Sequence, residues 1–114
     1  MIMLLKNLPY FSAAGGTGGS YTSPWVGYPE QLGDCEIWVV CETHNTGSVN
    51  VQLESSVDGV QPDDVGGVVN AAAAGVDRDQ RNVTGTMVRV SLSTTAAAIL
   101  TLSVYLVPKQ SRGI

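Results

Sequence analysis

From Asp34 to Ser56 the side chains alternate in character with a period of two, interrupted once at Asn45-Thr46-Gly47. Successive residues of a strand point to opposite faces, so this alternation puts one apolar face inward and leaves the other face mixed. In 34–44 the inward set is Cys35, Ile37, Val39, Cys41 and Thr43, against Glu36, Trp38, Val40, Glu42 and His44 on the mixed face. In 49–56, Val49, Val51 and Leu53 face inward, and Asn50, Gln52 and Glu54 face outward. A wet outer face is the mark of a half-buried antiparallel strand. Gly47 is free to take a positive φ, so 35–43 and 49–56 read as a hairpin closed at 45–47.

Composition extends this reading to the whole chain. Val, Thr and Ile number 16, 9 and 4, so 29 of the 114 residues are β-branched, while lysines number only two. β-branched side chains fit a pleated surface and lose rotamer freedom in a helix. Further along, Val83–Leu92 alternates again, and 98–107 carries an unbroken apolar face of Ala98, Leu100, Leu102, Val104 and Leu106, ended by Pro108. Tyr21–Tyr28 is aromatic but broken by Pro24 and Gly27, which suits an edge strand or an irregular segment. Val57–Asp64 reads as a long turn, Val65–Ala74 as a strand entering a loop, and Asp77-Arg78-Asp79-Gln80-Arg81 as a mixed-charge turn. Six to eight short strands with one inward face each pack most economically as two sheets. The expected fold class is all-β: an antiparallel β-sandwich, with a jelly roll as one form that fits, and an extended N-terminal arm.

The arm is set apart by Ser12–Ser20, which holds four glycines in nine residues and reads as a flexible joint. The expected division is therefore 1–20 for arm and hinge, 21–108 for the sandwich and 109–114 for a tail. The arm carries Leu4, Leu5, Leu8, Tyr10 and Phe11. Either it supplies an edge strand to its own domain or it reaches a neighbour, since twenty extended residues span up to roughly 66 Å. The second alternative makes these five residues partner-binding, with Tyr21, Trp25 and Tyr28 as a possible surface contact.

Charge and targeting signals limit the partners. Six basic against ten acidic residues give a net charge of −4, which offers nucleic acid no electrostatic footprint. Lys6 and Asn7 interrupt the first apolar run, and Pro9 follows, unlike a secretory leader. The apolar stretch 96–107 is too short to span a bilayer. No membrane partner and synthesis in a cytoplasm are expected, so the sequon Asn82-Val83-Thr84 reads as a chance match. Cys35 and Cys41 lie about 20 Å apart along one strand, too far to bridge within it, and read as small buried hydrophobes.

Catalytic and cofactor chemistry is not expected. His44 is the single histidine and stands beside a turn, and no serine occupies a Gly-x-Ser-x-Gly elbow. Cys35, Cys41 and His44 lack the short paired spacing of zinc sites. Asp58, Asp63 and Asp64 lack the ligand order of a calcium loop. Glu36 and Glu42, on one strand face at about 20 Å, are too far apart for a glycosidase pair. Gly15–Gly19 lacks the Lys-Ser/Thr of a phosphate loop.

One stretch carries a resemblance. Val49–Gly59, Val-Asn-Val-Gln-Leu-Glu-Ser-Ser-Val-Asp-Gly, ends an alternating strand in Glu-x-Ser-x-Asp-Gly. Later, Met87-Val88-Arg89-Val90-Ser91 precedes a final apolar strand over 99–107. This arrangement, over about residues 34–107, resembles small structural proteins of tailed bacteriophages and is similar to β-sandwich capsid decoration (cement) proteins. The resemblance implies a virion protein on the capsid surface, with the major capsid protein and copies of itself, as dimer or trimer, for partners. Similar Ser-x-Asp-Gly turns occur in tail and head–tail components and in carbohydrate-binding sandwiches. In that last class Tyr21, Trp25, Tyr28 and Trp38 would form a stacking platform.

Overall fold

In the computed structural model the described residues are 2–9, 20–27, 33–94 and 98–109. They form β1 (Ile2–Pro9), β2 (Ser20–Thr22), β3 (Val26–Gly27), β4 (Gly33–Thr46), β5 (Val49–Ser56), β6 (Asp63–Asp64), β7 (Val69–Ala71), β8 (Gly75–Val83), β9 (Met87–Ser93) and β10 (Ile99–Pro108). One sheet has the order β1-β10-β4-β8. The other has the order β2-β9-β5-β6, with β3 also on β9 and β7 also on β5. Every pairing is antiparallel, and the two sheets pack as a β-sandwich.

The core is where the inward faces meet. Cys35, Ile37, Val39 and Cys41 of β4 and Leu102, Val104 and Leu106 of β10 come from the first sheet. From the second come Val49, Val51 and Leu53 of β5 and Val88, Val90 and Leu92 of β9. Burying each of the valine, leucine and isoleucine side chains among them contributes about 1.5–3 kcal/mol before conformational entropy is set against it.

Four expectations are corrected. β4 and β5 do not form a hairpin: β4 pairs with β10 and β8, and β5 with β9, β6 and β7. The chain crosses from one sheet to the other after Thr46, with Gly47 at φ 80. Two adjacent segments with equally apolar faces can pair side by side or face each other, and here they face each other across the core. Residues 77–81 are strand rather than turn, for they lie within β8, in register with β4. Residues 83–92 are two strands rather than one. The chain turns at 84–86, where a Cβ on Gly85 would come within 2.7 Å of the Ser56 carbonyl oxygen.

The fourth correction concerns the arm. β1 pairs with β10 of its own chain, and Leu4 and Leu5 are buried in its own core, with Leu8 packed against it. Three of the five proposed partner-binding residues are thus taken up by the domain itself, because an edge position beside β10 gives their side chains a dry face to cover. Tyr10 and Phe11 lie outside the described residues.

The edges of the first sheet are shaped by irregularity and charge. β1 shifts register between Met3 and Leu5 and again between Leu5 and Leu8. On β8, Asp77 and Asp79 stand opposite the inward residues Val39 and Ile37, yet both are exposed at the sandwich rim. Inward-pointing charges on an edge strand block pairing with another sheet, because a second strand there would bury them.

Candidate functional site

Two surfaces stand out. The first is the outer face of the β1-β10-β4-β8 sheet, where the pleat turns alternate residues to solvent. Trp38 of β4 is the register partner of Tyr105 on β10 and of Arg78 on β8, and Tyr105 is in turn the partner of Met3 on β1. Arg78, Trp38, Tyr105 and Met3 therefore form one row across the four strands. Trp38, Val40, Tyr105 and Val107 line an apolar depression of about 290 Å³ beside it. Two charged groups at this face are engaged with Trp38. The Trp38 indole Nε1–H donates to Glu36 Oε1 at 3.1 Å, and the Arg78 guanidinium lies 5.1 Å from the Trp38 ring centre.

The second surface is the turn after β5. Ser56 Oγ donates to Asp58 Oδ1 (2.9 Å) and accepts from the Asp58 and Gly59 backbone N–H groups (3.2 and 2.9 Å). Asp58 Oδ1 also accepts from the backbone N–H groups of Val60 (2.8 Å) and Gln61 (2.9 Å). The Gln61 and Val60 N–H groups, with the Ser56 hydroxyl, hold the Asp58 carboxyl below its ordinary range. Gly59 supplies the positive φ of 75 that closes the turn. On this frame Val57 and Val60 stand 78% and 70% exposed.

The sequence-derived aromatic set is divided by the fold. Trp25 lies over Arg89, 4.2 Å from ring centre to guanidinium, and Arg89 Nε donates to Glu54 Oε1 at 2.7 Å on the outer face of the second sheet. Tyr21 sits at that sheet's edge on β2, and Tyr28 is outside the described residues. Trp38 is on the opposite layer, so the platform of Tyr21, Trp25, Tyr28 and Trp38 is not assembled. Trp38 is paired instead with Tyr105, which sequence reasoning missed. The signal was available: Thr101, Ser103, Tyr105 and Val107 are the outward positions of the last strand, and two of them are large and apolar.

The remaining candidates are placed as follows. His44 Nε2 donates to the Gly47 carbonyl oxygen at 2.8 Å, beside a depression of about 430 Å³ lined by Thr43, Asn45 and 99–101. Cys35 and Cys41 are buried free thiols. Burial pushes the Cys35 thiol up to about 11 and raises Cys41 as well. Among the described residues, no three His, Cys, Asp or Glu side chains are grouped to hold a metal ion. No helix of the described residues is long and apolar enough to cross a membrane.

Neither a protein-family model, nor a curated protein, nor a solved structure matches this chain. The class of protein its fold defines is an all-β antiparallel sandwich.

Proposed function

We propose that this chain is a non-catalytic structural virion protein that docks on the outside of an assembled tailed-phage capsid and strengthens contacts between capsomers. Its partners in this reading are the major capsid protein and other copies of itself. The observation that carries the reading is the turn after β5: Val57 and Val60 exposed on a frame of five hydrogen bonds. An apolar pair held rigid before binding loses little conformational entropy on docking, which favours a contact surface. The same turn is the Glu-x-Ser-x-Asp-Gly segment on which the resemblance to decoration proteins rests. The strand orders β1-β10-β4-β8 and β2-β9-β5-β6 support reading the sandwich as a jelly roll, an architecture used in capsid and lectin domains.

Docking is assigned to this turn rather than to the arm, because Leu4, Leu5 and Leu8 are engaged in their own domain. Burying two valines contributes about 3 kcal/mol or more per site, and a symmetric shell multiplies a modest contact. The test is co-sedimentation of the purified chain with shells assembled from the major capsid protein encoded nearest to its gene. Saturable binding is expected, falling at least tenfold in a Val57→Asp/Val60→Asp variant. Absence of wild-type binding, or undiminished binding by the variant, would overturn the reading.

A further inference from the structure

We infer that the outer face of the β1-β10-β4-β8 sheet is a self-association surface, on which a second copy of this chain packs about a two-fold axis parallel to the strands. The argument rests on a projection and a hollow that share one row of the same face. Met3 projects from β1, 48% exposed, directly beside Tyr105. The hollow lies between β4 and β10, centred on the level of Trp38 and Tyr105 and bounded by Val40 and Val107. With neighbouring strands about 4.8 Å apart, Met3 is about 7 Å to one side of the hollow, at the same height along the strands.

A two-fold axis midway between them, running with the strands, seats each Met3 in the other copy's hollow at once. That is the isologous arrangement of most symmetric dimers. It also leaves the two strand directions aligned, as face-to-face sheet packing prefers. A different protein would have to supply its own projection, whereas a second copy already carries one.

Charge and area set the strength. Each copy has a net charge of −4, which opposes association, while at this face Glu36 and Arg78 are both engaged with Trp38 and Glu42 accepts from Ser103 Oγ within the same copy. Three overlapping strands cover about 300–400 Å² per copy by strand spacing, against roughly 800 Å² a side for a stable complex. The dimer is therefore at the weak, exchanging end of specific association. The surface is separate from Val57 and Val60, so the inference stands whether or not shells are bound.

Sedimentation equilibrium of the full chain, from ten micromolar to about one millimolar and without shells, reads this directly. The wild type is expected to show a monomer–dimer equilibrium. Met3→Glu, on an exposed side chain, should weaken it at least tenfold. Val107→Gln, at the rim of the hollow, should weaken it similarly, and Val60→Glu should leave it unchanged. A wild type that stays monomeric throughout, or a dimer indifferent to Met3→Glu and Val107→Gln, overturns the inference. So does a monomeric wild type whose Trp38 environment responds to a soluble oligosaccharide, or whose shell binding is lost in Met3→Glu; those results assign the face to a glycan or to the shell.

Discussion

Gly66 rests against the guanidinium of Arg81: a Cβ built on Gly66 would lie 2.6 Å from Arg81 Nε. Arg81 belongs to β8 at the edge of one sheet, and its Nη2 donates to the Gly67 carbonyl oxygen at 2.7 Å. On the other side, Gln52 Nε2 of β5 donates to the Gly66 carbonyl oxygen at 3.1 Å. The 66–67 backbone is thus held between the two layers, and Arg81 closes one open side of the sandwich. Arg81 Nε is buried without a hydrogen-bond partner, and such an unmet donor costs about 1–3 kcal/mol.

Gly66→Ala should therefore destabilise the domain by about 1–3 kcal/mol, since φ is +71 and a buried guanidinium occupies the space a methyl needs. Gly67→Ala should stay within about 0.5 kcal/mol, as nothing lies within 4 Å of its added Cβ. The midpoints of urea unfolding check both, and equal effects at the two glycines would contradict the packing described.

Leu5→Ala should cost about 2–5 kcal/mol, the range for emptying a buried leucine site. A free arm would lose nothing measurable on the same substitution. Urea unfolding of the purified monomer separates these outcomes, because Leu5 is buried on its own chain rather than held for a partner.

Asp58 makes the turn after β5 sensitive to acid. Its folded pKa is lowered, so its contribution to stability is complete above the ordinary value of 3.8 and is lost as pH falls through the lower folded value. Exchange of the Val60 and Gln61 amides, corrected for intrinsic rate, should accelerate across that acid window. Asp58→Ala should lower the melting temperature at pH 7 and remove this part of the acid dependence.

The buried thiols act in the opposite pH direction. Cys35 is raised from 9.0 to about 11, so between those values the unfolded chain has lost a proton that the folded chain keeps. Stability therefore falls with rising pH across that interval. Iodoacetamide at pH 8 should label the folded protein far more slowly than the urea-unfolded protein, with both cysteines modified together once unfolding is complete.

What could be read from the sequence was which residues face inward. Cys35, Ile37, Val39 and Cys41, Val49, Val51 and Leu53, and the apolar face of 98–107 are all in the core, because burial is written locally with a period of two. Which strand lies beside which was not legible in the same way. A strand's inward face is the same whether its neighbour in sequence pairs with it or packs opposite, so the 45–47 connection admitted two solutions. The 77–81 segment misled for a different reason: an edge strand overhanging the core can be polar on both faces. At the surface, Trp38 was visible as an outward aromatic, but its pairing with Tyr105 depends on a contact between residues 67 apart in sequence. Val57 and Val60 were contained in a recognised turn motif, yet their exposure follows only from the way Ser56 and Asp58 fix that turn.

The order of the strands also bears on how the domain is made. β1 pairs with β10, β2 with β9, and β4 with β8, so these ladders are nested, the outermost joining the first described strand to the last, and β10 pairs with β4 as well. No hairpin between neighbouring long strands is available to form early, and loop closure must come before contacts repay it. On a ribosome, β1 and β4 must wait for residues 99–108 before their shared neighbour exists. Acquisition of structure should therefore be late and abrupt, and in the millisecond-to-second range typical of non-local β topologies. A chain cut short before β10 would leave Leu4, Leu5, Ile37 and Val39 without the strand that completes their layer, and would be handled by the cell as unfolded.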